Sequence, residues 1–217
     1  MLNMDDYELF VSFIERSLTA VDANYFNTQF DGFYSFKDSI SHLGVFRGEK
    51  FIRYTERGFA YELYHQLRKI IDEYRTGNRF FDGYLLQGEI KKMNAEKILE
   101  IFNYKLDTSY IPDLLFHIPS QDYNAFVVEI KAQPELKDIE ILYDLEKLSK
   151  FLRGVNYRRS VFLTVNISAP LIEGAIVRNR QVITEMFSDR LKDCNIIVKE
   201  YYNAIPVYNK RLSQILP

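Results

Sequence analysis

Residues 111–115 read Ile-Pro-Asp-Leu-Leu, and residues 127–131 read Val-Val-Glu-Ile-Lys. Both stretches are apolar runs whose composition is typical of β-strands, yet together they carry two carboxylates and a lysine. Because an unpaired charge is costly to bury, charged side chains inside such runs indicate a specific role. If the two strands pair side by side, Asp113 and Glu129 can bind one divalent cation, with Lys131 beside it.

The alternation of side chains along a strand supports this arrangement. Glu129 and Lys131 point to the same face of their strand, and Asp113 and His117 share a face of theirs. Carboxylate oxygens are the ligands that Mg²⁺ and Mn²⁺ prefer. Such an ion lowers the pKa of a bound water and neutralises charge on a phosphate, while a lysine beside it can orient the water or stabilise the pentavalent phosphorus. The spacing therefore predicts a metal-assisted phosphodiester site.

The pattern around these strands predicts an α/β (α+β) fold with a mixed sheet flanked by helices. We expect helices at 55–75, 136–153 and 170–192, a short helix after Asn94, and strands at 80–91, 112–119, 124–132, 159–166 and 195–202. Short connections favour antiparallel pairing of the first three strands. The later strand–helix–strand alternation favours a parallel crossover.

Composition places limits on the class of protein. The chain has 217 residues, 47% of them hydrophobic and 27% charged, as in ordinary globular proteins. A formal net charge of -2 argues against coating nucleic acid through bulk electrostatics, although it is compatible with a nuclease. A single cysteine, Cys194, excludes an internal disulfide and a cysteine-based zinc cluster. We expect neither a secretory signal nor a membrane span, and hence a cytoplasmic location.

The motif Pro112-Asp113 followed by Glu129-Ile130-Lys131 resembles the signature of the PD-(D/E)XK phosphodiesterases, the restriction-endonuclease-like superfamily. That family has a helix, three antiparallel strands, a helix and a further strand (αβββαβ), which is the order predicted here from residue 55 to 166, with a further helix and strand after it. The resemblance implies that Asp113 and Glu129 are catalytic ligands of Mg²⁺ or Mn²⁺ and that Lys131 is the catalytic lysine.

Many members of that family also carry a glutamate on the first core helix. Glu62 is the best match for this further catalytic residue and metal ligand, and Glu56 is a weaker alternative. Helical spacing places Glu62 and Gln66 one turn apart at the edge of the apolar stripe, from where a side chain can reach the sheet. The other interpretation of Glu62 is a helix-surface carboxylate.

The resemblance implies a metal-dependent nuclease that hydrolyses phosphodiester bonds. DNA is favoured as the substrate, in defence, repair or mobile-element biology, and RNA stays open. The alternative is a catalytically inactive protein on the same scaffold that binds nucleic acid or protein. A homodimer is possible under either function, and no membrane partner is expected.

The chain divides on this basis into three parts. They are an N-terminal helical extension at 1–54, a PD-(D/E)XK nuclease-like domain at 55–203 and a C-terminal tail at 204–217. Within the extension, residues 4–20 are predicted to form an amphipathic helix, and the tail is expected to lie on the surface.

Simpler interpretations exist for several charged residues. Glu129 and Lys131 could lie on a solvated face of a strand. His117 is expected to be a partly buried structural histidine rather than a ligand. Lys147, with Lys150 and Arg153 on the same predicted helix, could contact phosphate or form a solvated face.

Overall fold

The structure, a computed structural model, describes residues 4–26, 28–29, 52–53, 56–78, 82–88, 110–119 and 121–217. The short helix predicted after Asn94 lies outside these residues, as do residues 30–51 of the N-terminal extension. Within the described chain, no helix combines the length and apolarity needed to cross a bilayer.

A six-stranded mixed, open sheet forms the centre of the fold, with its strands in chain order. The strands are β3 (Leu85–Gly88), β4 (Leu114–Ile118), β5 (Tyr123–Lys131), β6 (Arg159–Val165), β7 (Cys194–Lys199) and β8 (Tyr208–Arg211). A separate two-stranded antiparallel ribbon consists of β1 (Thr28–Gln29) and β2 (Ile52–Arg53). Strands β3, β4 and β5 pair antiparallel, β5, β6 and β7 pair parallel, and β8 returns antiparallel to β7. The predicted α+β class and the predicted pairing directions are confirmed.

Helices cover both faces of the sheet. They are α1 (Met4–Ala20), α2 (Ala23–Phe26), α3 (Glu56–Arg75), α4 (Asp138–Gly154), α5 (Ala169–Arg178), α6 (Arg180–Phe187) and α7 (Leu212–Ile215), with a 3₁₀-helix at Ser188–Asp193. The buried residues of α1 and α3 pack with one face of β4 and β5, and those of α4, α5 and α6 pack with the other. Each face of the sheet therefore has its own apolar core.

Helix α1 has the boundaries predicted for it and belongs to the first of these cores. Phe10, Phe13, Ile14 and Leu18 are all at most 1% exposed. The ring of Phe10 stacks between two aromatic rings of the sheet, with centroid distances of 4.4 Å and 4.3 Å. The amphipathic helix predicted at 4–20 is thus confirmed as a packing element of the sheet.

The single helix predicted at 170–192 is wrong, because the chain breaks at Asn179. The side-chain amide of Asn179 donates hydrogen bonds to the backbone carbonyl of Ala175 at 2.8 Å and to Oδ2 of Asp138 at 3.0 Å. These bonds hold Asn179 between α5 and α6 with φ at -105°. The apolar periodicity continues across the break, so the sequence pattern alone conceals it.

The prediction that the C-terminal segment lies on the surface is also wrong. Residues Tyr208–Arg211 add the sixth strand to the sheet, and Leu212 and Leu216 are at most 5% exposed. Asn209 donates a side-chain hydrogen bond to Glu15 of α1 at 2.8 Å. The short helix α7 and the residue after it close one end of the core. Their apolar side chains follow helical spacing and are buried together: Leu212, Ile215 and Leu216.

Candidate active site

The register of β4 and β5 brings the two predicted carboxylates together. Leu114 lies opposite Val128, so the same register places Asp113 opposite Glu129. Oδ2 of Asp113 accepts a hydrogen bond from the backbone N–H of Ile130 at 2.7 Å, which fixes its carboxylate against β5. The hairpin expected from the sequence therefore produces the juxtaposition on which the site depends.

Glu129 lies under α4 and is 1% exposed. Its Oε2 accepts a hydrogen bond from Nζ of Lys147 at 2.5 Å. Its Oε1 is buried and has no hydrogen-bond partner among the residues that the structure describes. Burial raises the pKa of Glu129 well above its ordinary value, and the neighbouring charge of Asp113 raises it further.

Asp113 is affected in the same direction. Burial raises the pKa of its carboxyl from 3.8 to about 6, although the hydrogen bond from Ile130 favours the charged form. The carboxylate of Glu56 raises the pKa of Asp113 further. Asp113 and Glu129 lie close enough for the charge of Asp113 to oppose ionisation of Glu129. Ionising both groups is therefore costly, and a bound cation would offset that cost.

Lys131 lies between carboxylates from two helices. Its Nζ is 3.4 Å from Oε1 of Glu56 on α3 and 3.4 Å from Oδ2 of Asp144 on α4. Burial lowers the pKa of Lys131, but the surrounding carboxylates outweigh this effect, so its pKa is raised overall. The ammonium group therefore stays protonated at neutral pH and can stabilise negative charge or orient a water.

The glutamate that α3 contributes to this cluster is Glu56, and Glu62 lies on the flank of the helix. Oε1 of Glu62 accepts a hydrogen bond from the side-chain amide of Gln66 on the same helix at 2.6 Å. Glu56 precedes the buried Leu63 by seven residues and so continues the buried stripe of α3, whereas Glu62 lies one residue away from it. The metal-ligand role of Glu62 remains a prediction from the resemblance.

Helix α4 contributes two charged residues that the predicted site did not include. Asp144 is 2% exposed and Lys147 is 9% exposed. Nζ of Lys147 lies 3.7 Å from Oδ1 of Asp144, in addition to its bond with Glu129. The result is a chain of alternating charges in the order Glu129, Lys147, Asp144, Lys131 and Glu56.

The sequence contained a signal for this contribution. Asp144 follows the buried Ile141 by three residues and precedes the buried Leu148 by four, so it occupies the apolar stripe of α4. From the sequence we expect Lys147 to contact phosphate or to lie on a solvated face, and both interpretations put it on the surface. In the structure Lys147 is buried and bonds to Glu129.

The donor atoms fit a small divalent cation in part. Asp113 and Glu129 are adjacent, and the buried Oε1 of Glu129 lacks a donor within the described chain. Across the residues that the structure describes, no group of three or more His, Cys, Asp or Glu side chains is arranged to hold a metal ion. Mg²⁺ is commonly bound through one or two carboxylates together with water and substrate phosphates, and two carboxylates satisfy that requirement.

A cleft opens close to the cluster. Its volume is about 490 Å³, and it begins two residues after Lys131, at Gln133. The loop at 133–137, the first turn of α4, and Leu171 and Arg178 of α5 line it. The carboxylates of the cluster are not among its lining residues, so the cleft is a neighbouring surface depression and not the site itself.

The remaining predicted residues have local partners. Nε2 of His117 lies 2.5 Å from Oε1 of Gln87 on β3, as expected for a structural histidine. Nζ of Lys150 donates to the hydroxyl of Tyr110 at 2.7 Å, and Arg153 donates to a backbone carbonyl at 3.0 Å. These contacts give each residue a structural role outside the charged cluster.

Of the four predicted site residues, the structure brings Asp113, Glu129 and Lys131 into one buried cluster and leaves Glu62 on the flank of α3. The described α3 and α4 supply Glu56, Asp144 and Lys147 to the same cluster. No family model, curated protein or solved structure significantly matches this chain. Function is consequently inferred from the chemistry of the cluster.

Proposed function

We propose that this protein is a metal-dependent phosphodiesterase that hydrolyses nucleic acid. The observation that carries the proposal is the pairing of the partly buried Asp113 with the buried Glu129, beside the protonated Lys131. Both carboxyl groups have raised pKa values, mainly because burial opposes their ionisation; the charge of Glu56 adds to this effect at Asp113, and the charge of Asp113 adds to it at Glu129. Asp113 and Glu129 would hold a divalent cation, whose charge would offset the cost of ionising them.

The chain's own residues have distinct parts in this chemistry. Asp113 and Glu129 would hold Mg²⁺ or Mn²⁺, and the ion would supply an activated water and neutralise charge on the phosphate. The ammonium of Lys131 stabilises charge on the phosphoryl oxygens or orients the water. Glu56 and Asp144 hold that ammonium in place, since each lies 3.4 Å from its Nζ. This division of roles agrees with the raised pKa of Lys131, which makes it a poor general base.

A restriction-endonuclease-like core is part of the proposal. Its support is the observed order of α3, three antiparallel strands, α4 and a parallel β6, with the motif residues on β5 and at the start of β4. By the same resemblance we propose DNA as the substrate, in defence, repair or mobile-element biology, with RNA as the other substrate to be tested.

One observation favours a second candidate function. The ammonium of Lys147 already lies 2.5 Å from Glu129, and the cluster alternates acidic and basic side chains. Lysines that compensate buried carboxylates make a metal ion unnecessary for folding. A catalytically inactive protein that binds nucleic acid or a partner protein on this scaffold is therefore the alternative.

The test compares cleavage of plasmid DNA, single-stranded DNA and RNA in Mn²⁺ or Mg²⁺ by wild type, Asp113→Ala and Lys131→Ala. The exposed Lys192→Ala serves as the matched control for a lost lysine. We expect both site variants to lose cleavage by about a hundredfold or more, and the control to keep it.

Metal binding, measured by Mn²⁺ electron paramagnetic resonance, separates the two roles. Asp113→Ala should lose the bound ion, whereas Lys131→Ala should keep it. Equal cleavage by all four proteins would contradict the proposed site. Folded wild type that cleaves none of the three substrates and binds no Mn²⁺ would favour the non-catalytic alternative.

A further inference from the structure

The ammonium of Lys147 occupies one of the two oxygens through which Glu129 could bind a metal ion. Nζ of Lys147 lies 2.5 Å from Oε2 of Glu129, and both side chains are nearly excluded from solvent, at 11% and 2% exposure. Within a buried site, solvent screens such a pair little. The contact therefore places a positive charge on one of the two oxygens of Glu129, a proposed metal ligand.

A second acceptor for the same ammonium is within reach. Oδ1 of Asp144, one turn earlier on α4, lies 3.7 Å from Nζ of Lys147. A lysine ammonium has three donors on a flexible four-carbon stem, so a small change of rotamer transfers it between two carboxylates. Asp144 is itself 2% exposed, which keeps both positions within the buried cluster.

We propose that Lys147 is a positioning residue that holds Glu129 as an internal cation until a divalent metal ion displaces it toward Asp144. This inference rests on the proposed function, because it requires Asp113 and Glu129 to bind the ion. It adds to that function a competition between a side chain and the metal for one carboxylate. Lys131 has a different position, since its Nζ forms ion pairs with Glu56 and Asp144, each at 3.4 Å.

The inference predicts the sign of a change in metal affinity. A unit charge a few ångströms from a divalent ion repels it strongly at the effective dielectric of a protein. Lys147→Met removes the charge and keeps the length and apolarity of the stem. We expect it to bind Mn²⁺ about tenfold more tightly than wild type. A residue that only supports the fold would weaken binding when replaced.

The experiment measures Mn²⁺ affinity of the full chain by isothermal titration calorimetry, without nucleic acid. Lys150→Met is the matched control, because Lys150 lies one turn further along α4 and pairs with Glu146 at 2.9 Å. The control should bind Mn²⁺ as wild type does. Equal or weaker binding by Lys147→Met overturns the inference and leaves the proposed metal site standing. Absence of Mn²⁺ binding in wild type overturns both.

A second measurement uses wild type alone, in case Lys147→Met does not fold. Nuclear magnetic resonance of ¹⁵N-labelled lysine side chains follows the Nζ of Lys147 during titration with diamagnetic Mg²⁺. We expect the Lys147 resonance to shift as the ion binds, while that of the buried Lys199, whose Nζ bonds to the carbonyl of Ala204, stays in place. A Lys147 resonance that does not move at saturating Mg²⁺ overturns the inference.

Discussion

Replacement of Asp113 by asparagine is expected to stabilise the metal-free protein at alkaline pH. Burial raises the pKa of this carboxyl to about 6 in the folded chain, from an ordinary value of 3.8. The folded state thus binds the proton more tightly than the unfolded state does. As the pH rises from 3.8 to about 6, Asp113 ionises in the unfolded chain before it does so in the folded chain, and this lowers the free energy of unfolding. Asparagine has no such ionisation, and its amide oxygen can still accept the hydrogen bond from Ile130.

The magnitude follows from the two pKa values. At 1.36 kcal/mol for each pKa unit, the step from 3.8 to about 6 corresponds to about 3 kcal/mol. The destabilisation by ionised Asp113, which Asp113→Asn removes, should therefore reach about 3 kcal/mol at pH 8, and most of it should develop between pH 4 and pH 8.

Urea unfolding at pH 4, 6 and 8 in the presence of EDTA measures this difference. Asp138→Asn is the control with the opposite sign, because hydrogen bonds from Arg178 lower the pKa of Asp138. That variant should lose stability at pH 8 relative to wild type. A difference for Asp113→Asn that stays flat between pH 4 and pH 8 would refute the argument that burial opposes its ionisation.

Three further predictions concern the rest of the fold. Phe10→Ala should lower the free energy of unfolding by about 3–5 kcal/mol in a urea titration, because the ring is fully buried. In the same titration the control Ile139→Ala should change the free energy by less than about 0.5 kcal/mol, because Ile139 is 68% exposed. Asn179→Ala should cost about 1–2 kcal/mol, since it removes two side-chain hydrogen bonds at the break between α5 and α6, and an unchanged urea midpoint would contradict this account. Cys194 is buried and its thiol pKa is raised to about 12, so it should react with a thiol reagent at pH 8 only after denaturant is added.

The strands and their pairing directions could be predicted from the sequence because local chemistry specifies them. The apolar runs of β4, β5 and β6 are bounded by polar turns, and the short link between β4 and β5 makes a hairpin. A hairpin with alternating side chains leaves few registers, and one of them pairs Asp113 with Glu129. For the same reason the three motif residues could be placed in one cluster before the structure was known.

The features that the sequence missed, and the choice of Glu56 over Glu62, depend on contacts between distant parts of the chain. Lys147 looks like a surface residue on its helix, and only the position of Glu129 on β5 makes it a buried one. Glu56 reaches Lys131 because α3 starts beside the end of β5. The polar residues of β8 gave little strand signal, and the edge of β7 determines their conformation by pairing with them.

The packing of α1 against the last strand has a consequence for synthesis of the protein. Asn209 and Arg211 of β8 bond to Glu15 and Glu8 of α1 across 194 and 203 residues of chain. At about 5–20 residues per second, α1 leaves the ribosome roughly 10–40 s before those partners exist. The ring of Phe10 gains its sheet partners earlier, because Phe116 of β4 and Phe126 of β5 precede β8 in the chain. We therefore expect the contacts between α1 and β8 to be the last of this core to form during synthesis.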